Sequence, residues 1–403
     1  MAIIAVATLF VFATPPFQAP DEVGHYWRAV TIARGALLPD LVDGKPSALV
    51  PRGVRDLVQV LWVPTAGNPE LKVGFDRIRA AAHVSLQPQD LVRVTFPAQY
   101  TPVPQLPTVA ACFIGMMLRL PPLITFYLGR ACNAAALILL LMASIKRLPI
   151  AGAIGLLPMT LYLAGSFSPD AVTIGLACYV TALALTDGEL IIPALLLALC
   201  KPAYVLLPLI ARRKKLALLL AIGIGTALSA MTAQRNYFAM RSDVVTDPAA
   251  QLRFVTAHPF HFLGIVIRDY AQHALQYADH LVGHLGWLDI QLPKTLVGIA
   301  FILLIAAGVT ASVNLSRATR ITAAIILAAS CLLISLSQYV AWTPLRAGFI
   351  AGMQGRYFLP LVPLALASIA VTEHAQRTIV RLFITSALVL DVIGVIFVIN
   401  RYY

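Results

Sequence analysis

The fold class this sequence predicts is an all-α, multi-pass membrane protein of about eleven transmembrane helices. Three observations carry that expectation. Of its 403 residues, 59% are hydrophobic and 12% are charged, about half the charge of an ordinary soluble chain. Mean hydropathy is +0.83. From residue 123 onward, apolar runs alternate with short turns rich in arginine and lysine, as helix-turn-helix passage through a bilayer requires.

The net charge of +12 is therefore read as helix-end anchoring, and nucleic acid is excluded as a partner. The five cysteines (Cys112, Cys132, Cys178, Cys200 and Cys331) are scattered through apolar stretches with no C-x-x-C pair. That spacing supports neither a disulfide framework nor a thiolate metal site.

Residues 1–14 enter the membrane, although they are short for a span. Residues 15–122 form a first long polar loop, and the run 106–118 within it is expected to lie at the interface or dip in. Residues 36–100 read as irregular structure with short helices. Apolar runs follow at 123–145, 149–166 and 171–186, then two short halves at 190–200 and 203–211 around Lys201-Pro202, then 216–233. A second polar stretch covers 234–293, and apolar runs return at 294–312, 321–341, 357–371 and 379–399. Placing the Arg212–Lys215 cluster in the cytoplasm also puts Lys146-Arg147, Arg317/Arg320 and Arg377/Arg381 inside, ten basic residues in four turns. The loops 15–122, 234–293 and 342–356, with Ser168–Asp170 and Lys201, then lie on the outer side. No internal repeat is present, so 1–403 is treated as one integral-membrane domain.

The candidate chemistry falls on that outer side. Proline suits the first turn of a helix and carboxylates suit its positive end, so a helix is expected from near Pro20 to near Gly35. On it Asp21, His25 and Arg28 (i, i+4, i+7) share one stripe, with Glu22 turned aside. The alternative is a well-capped amphipathic helix lying on the bilayer. Asp170, in Ser-Phe-Ser-Pro-Asp, is either a helix-capping acid or a second outer carboxylate. Lys201 either snorkels to the interface or awaits an anion. In Gly352-Met-Gln354-Gly-Arg356-Tyr357, the arginine suits a phosphate or, with Tyr357, an interfacial anchor. His280-x3-His284 has legal helical metal spacing, although such a stripe is more often a wet helix face. Trp287 and Asp289 end the second loop, where an aromatic belongs at the interface or stacks on a sugar ring, and Asp289 could accept sugar hydroxyls.

Taken together, Pro-Pro-Phe-Gln-Ala-Pro-Asp21-Glu22-x-x-His25, Leu-Gly-Arg130-x-x-Asn133, Leu157-Pro-Met, Ser-x-Ser-Pro-Asp170, Lys201-Pro-x-Tyr204, Gly-Trp287-Leu-Asp289 and Gly-x-Gln354-Gly-Arg356-Tyr-Phe-x-Pro resemble a bacterial family of multi-pass membrane proteins of unknown function. That family resembles the GT-C superfamily of integral-membrane glycosyltransferases. The resemblance implies a GT-C-like bundle with outer-face juxtamembrane helices in the first long loop. It implies catalytic carboxylates at Asp21, with Glu22 in reserve, and at Asp170. It implies a polyprenyl-phosphate sugar donor, a glycan or lipid acceptor, and a place in the bacterial cytoplasmic (inner) membrane with the site facing outward. His25, Arg28, Lys201, Trp287, Asp289, Gln354, Arg356 and Tyr357 are the expected substrate contacts. No Asp-x-Asp pair surrounds Asp170, so a divalent metal such as Mg or Mn is left open. The alternative functions are a transporter or flippase for a lipid-linked or anionic substrate, and a non-catalytic scaffold.

Overall fold

The computed structural model describes residues 2–66, 68, 70–213, 215–237, 246–371 and 377–403. Lys214 of the basic cluster and residues 238–245 of the second polar stretch lie outside the described residues. The chain is mostly helical. It opens with α1 (Ala2–Ala13) and α2 (Glu22–Ala33), followed by β1 (Asp40–Val42), β2 (Lys45–Pro51), α3 (Arg52–Leu61), α4 (Phe75–Ala82) and β3 (Leu91–Thr95). Next come α5 (Leu106–Met117), α6 (Pro122–Ile145), α7 (Pro158–Ala164), α8 (Asp170–Leu185), α9 (Ile191–Cys200) and α10 (Lys215–Arg235). The remainder is α11 (Pro248–Ala257), α12 (Pro259–Val282), β4 (His284–Leu285), β5 (Ile290–Gln291), α13 (Lys294–Val309), α14 (Arg317–Ala341), α15 (Val362–Ile369) and α16 (Arg377–Tyr402). Short 3-10 segments at Val103–Gln105, Pro149–Leu156, Pro202–Tyr204, Leu207–Ile210 and Gly355–Leu361 complete it.

Among the described residues, four helices are long and apolar enough to cross a membrane: α6, α10, α14 and α16. Other apolar segments are shorter. Proline explains several of them, because it removes a helical hydrogen bond and clashes with the preceding turn. Pro149 and Pro158 open the 3-10 segment and the helix of the next pass, and Pro202 and Pro208 hold 202–210 in 3-10 geometry. The 10 residues of α9 rise only about 15 Å at 1.5 Å each. Lys201 therefore stands at the top of a short hairpin rather than across a bilayer.

Residues 36–100 are more ordered than composition suggests. β1, β2 and β3 form a three-stranded antiparallel sheet with Ser47 opposite Asp40 on one side and Thr95 on the other. Val50, Val54, Leu57, Val94 and Phe96 bury its inner face against Tyr26, Phe126 and Phe167. The sheet and α3 thus become a lid seated on α2, α5 and α6.

The basic turns collect at one end of the bundle. Leu148, Ala182 and Ala367 pack together there with Val313 and Leu315. Arg212 Nη2 donates to Ser316 Oγ at 3.0 Å, Arg320 Nη1 donates to the Ser368 carbonyl at 2.6 Å, and Val371 N–H reaches the Val309 carbonyl at 2.9 Å. At the other end the C-terminus is tied to the first loop. Arg401 donates to the carbonyls of Thr65, Asn68 and Leu71 at 2.6, 3.1 and 3.0 Å.

Candidate active site

The site lies at the end opposite the basic turns, where α2, the 97–101 strap, the Lys201 turn, the β4–β5 turn and the 352–357 loop converge. They enclose a cavity of about 530 Å³. Asp21, His25, Lys201, Trp287, Gln354, Arg356 and Tyr357 all line it.

Asp21 is the N-cap of α2, with φ 60° and ψ 8°. Left-handed backbone is uncommon for a residue with a side chain and is best tolerated by Asp and Asn. It turns the exposed carboxylate out of the helix and toward the cavity. Among the described residues that carboxylate makes no hydrogen bond or ion pair, and it does not cap its own helix. One turn on, His25 is half-buried. The Gln105 amide stands 3.3 Å from its Nδ1; with the amide as donor, the imidazole proton sits on Nε2. Burial pushes the His25 pKa down, while Asp21 and Asp170 nearby oppose the shift.

Asp170, the first residue of α8, forms an ion pair with Lys201 through Oδ1, and its Oδ2 stands 4.0 Å from Arg356 Nε. Asn133 on α6 fixes the approach to α8 by donating to the carbonyls of Ser166 and Ser168 at 2.7 and 3.0 Å. The Lys201 ammonium lies 5.3 Å from the Tyr100 ring centroid and 5.6 Å from that of Tyr357, within cation–π range. Arg356 is placed by a close backbone approach. Gly355 sits so near α12 that a Cβ there would meet the Tyr277 carbonyl at 2.2 Å and Leu281 N at 2.4 Å. Among the described residues Arg356 Nε is buried without a hydrogen-bond partner. A buried donor in that state is costly, and an anion in the cavity would satisfy it.

Four of the expected residues do not line the cavity: Asp170 stands behind Lys201 and Arg356, and the other three are placed as follows. Glu22 is fully buried behind the cavity. It pairs with Arg130 through Nε at 2.9 Å and Nη2 at 2.6 Å, and accepts the N–H groups of Phe17 at 2.9 Å and Phe167 at 3.0 Å. Arg130 also donates to the carbonyls of Val11, Thr14 and Pro15 at 3.0, 2.5 and 3.1 Å, closing the end of α1. Every strong valence of Glu22 is thereby spent on holding the fold, which corrects its place as reserve catalyst. Arg28 is 1% exposed and turns to the Leu37 carbonyl, at 2.7 Å, instead of sharing a stripe with Asp21. The reason is that Asp21 leaves the helix, so the i, i+7 relation never forms. Asp289 braces its own turn, accepting Trp287 N–H at 2.9 Å and pairing with Arg401 at 2.8 Å. It carries Trp287 into the cavity wall without lining the cavity itself.

Tyr100 beneath Lys201, and Gln105 behind His25, are contacts that the sequence reading did not single out. The available signal was the aromatic directly before the Thr-Pro-Val-Pro run, which here turns the strap at the cavity floor. The rings of His280 and His284 are close, 4.5 Å between centroids, but His284 Nδ1 faces Asp279 Oδ2 at 3.0 Å and the group lies outside the cavity. Among the described residues no three His, Cys, Asp or Glu side chains form a metal-holding group. Asp21 is the one carboxylate in the cavity lining, and Asp170 behind it already faces two cations, so the pair fits a divalent ion poorly.

No curated protein and no solved structure matches the chain. A family does match, over residues 4–365. On that coverage the chain belongs to the family described as "Predicted membrane protein (DUF2142)".

Proposed function

We propose that the protein is an integral-membrane glycosyltransferase of GT-C type that moves a sugar from a polyprenyl-phosphate donor to a cell-envelope glycan or lipid acceptor, inverting the anomeric centre. The observation that carries this reading is one cavity holding a carboxylate unpaired among the described residues, Asp21, together with two cations, Lys201 and Arg356, one of which has a buried donor without a hydrogen-bond partner among those residues.

In the reaction, Asp21 takes the proton of an acceptor hydroxyl as its oxygen attacks the anomeric carbon. A new C–O glycosidic bond forms, and the bond from that carbon to the phosphate oxygen breaks. Its electron pair leaves with the polyprenyl phosphate. The phosphate is already a good leaving group, so the protein's main contribution is positive charge placed where negative charge develops, from Arg356 and Lys201. Asp170 holds Lys201 in position and is not the base. His25, with its pKa depressed, is neutral at pH 7 and donates a hydrogen bond from Nε2. Trp287 offers a ring to stack on a sugar.

The cavity is flanked by Ser229, Ala230 and Ala233 of α10 and by Ser337 and Ala341 of α14. Ala230 and Ala341 are exposed on the outer surface of the bundle, which suits an apolar tail leaving sideways into lipid. With the basic end in the cytoplasm, the site faces outward from the bacterial cytoplasmic membrane. The chain then makes eleven passes, counting α9 and 202–210 as the two arms of the hairpin.

A transport mechanism would use ionisable groups deep in several spans. Arg130 is committed to Glu22, and Asp391 does not line the cavity. The test is a density map of the protein in lipid nanodiscs with polyprenyl phosphate added. The phosphate is expected at Arg356 and Lys201 with its tail between α10 and α14. A phosphate bound elsewhere, or transport of the donor across vesicles without sugar transfer, overturns the reading.

A further inference from the structure

Arg28, excluded from the cavity, poses its own problem. It is 1% exposed, yet only Nη2 is satisfied, by the Leu37 carbonyl; Nε and Nη1 are buried without partners among the described residues. The positive group beside it is Arg235, the last residue of α10. Arg235 is exposed and holds the same turn from the other side, donating to the Pro39 carbonyl at 3.1 Å and to Asn236 Oδ1 at 2.9 Å. Asn236 in turn donates to the Ala98 carbonyl at 3.0 Å. Asp40, the carboxylate next along the turn, is paired with Arg93 at 3.3 Å. Among the described residues, therefore, no acid pairs with either of the two guanidinium groups that hold this turn. Burial first, and Arg235 second, push the Arg28 pKa down to about 10, the behaviour of a cation that lacks its counter-charge. Buried charges are ordinarily paired.

The surroundings identify the anion. Leu37 and Leu38, in the turn that covers Arg28, are 61% and 47% exposed. Below Arg235, α10 presents Leu228 and Met231 on its outer surface, 47% and 66% exposed. Cations at the head of an exposed apolar strip match an amphiphile lying along a helix, with its phosphate at the polar end and its chains on the leucines. We infer that Arg28 and Arg235 form a phosphate site for a membrane phospholipid headgroup, separate from the cavity and bounded by α2, the 34–39 turn and the end of α10. The phosphate oxygens supply the missing acceptors to Arg28 and bridge it to Arg235. The site does not depend on the transferase reading. It nevertheless abuts the cavity, because His25 precedes Arg28 by less than one turn and Ala233 precedes Arg235 by two residues.

The test is thermal unfolding of the purified full chain in zwitterionic phosphatidylcholine micelles, titrated separately with phosphatidylglycerol and with inorganic phosphate. Phosphatidylglycerol is expected to raise the melting temperature saturably. Arg235→Gln, a change at an exposed residue that leaves the core untouched, is expected to weaken the apparent affinity roughly tenfold, the loss of one charge-assisted hydrogen bond. Arg28→Lys, which retains charge but not the guanidinium donors, is expected to act in the same direction. Identical titrations for wild type and Arg235→Gln overturn the site. Saturation by inorganic phosphate alone, abolished in Arg235→Gln, overturns the lipid assignment and makes the ligand a free phosphate.

Discussion

Asp170 and Lys201 form a part-buried ion pair whose carboxylate is shared with Arg356 at 4.0 Å. A lysine at the tip of a short apolar hairpin is thereby neutralised from the neighbouring helix, and the site's two cations are tied to a single acid.

That arrangement separates structure from chemistry. Asp170→Asn takes from Lys201 its paired acid, and it is expected to cost up to about 3 kcal/mol of stability, the lower end for broken buried pairs because this one is part-exposed. Removing the cation as well, in Asp170→Asn with Lys201→Met, is expected to recover much of that loss. Thermal melts of the purified variants check both, and a double variant no better than the single one would refute the pairing.

The adjacent acids Asp21 and Glu22 are expected to diverge completely. Glu22→Gln strips Arg130 of its charge partner and is expected to destabilise by about 3–5 kcal/mol, visible as lost monodisperse protein in size-exclusion profiles. Asp21→Asn, at an exposed residue with no partner, is expected to melt within about 0.5 kcal/mol of wild type.

Gly355 allows the 352–357 loop to touch α12. Gly355→Ala drives a Cβ into the Tyr277 carbonyl and the Leu281 nitrogen. The expected cost is about 1–3 kcal/mol, together with displacement of Gln354 and Arg356 from the cavity wall. Weakened binding of polyprenyl phosphate alongside the lower melting temperature would report that displacement.

Three histidines tie stability to pH. Burial pushes His25, His280 and His284 down. Asp279 opposes this at both His280 and His284, while Lys294 adds to it at His284. Each is held neutral in the fold, so the unfolded chain binds the extra protons. Their contribution is complete above about pH 6.5 and is lost as pH falls through that value toward the depressed folded ones. The melting temperature is expected to fall between pH 7.5 and 5.5, and His280→Gln with His284→Gln is expected to flatten the fall. An unchanged slope in that variant would rule out this pair as the source.

Much of the architecture was legible in the residues. The turns at Lys146-Arg147, Arg212, Arg320 and Val371 gather at one end because hydropathy and charge are what a bilayer sorts, and both are visible in a linear sequence. Lys201 at the head of two short halves was legible for the same reason. The sheet was not, because β2 carries Pro46, Ser47 and Pro51 and lacks a clean alternation. Asp21 was identified through a helical stripe with Arg28 that does not form; it reaches the cavity through a left-handed backbone that no periodicity reveals. The Glu22–Arg130 pair spans 108 residues, and only the tertiary fold brings them together.

The role of Asp21 as the base is tested by transfer in vesicles that hold the purified protein, a labelled polyprenyl-phosphate sugar and envelope glycan acceptors. Release of polyprenyl phosphate is followed for wild type and for Asp21→Asn. Wild type is expected to transfer the sugar, and the variant to fall by at least about 100-fold with donor binding retained. Equal rates in the two proteins would contradict it.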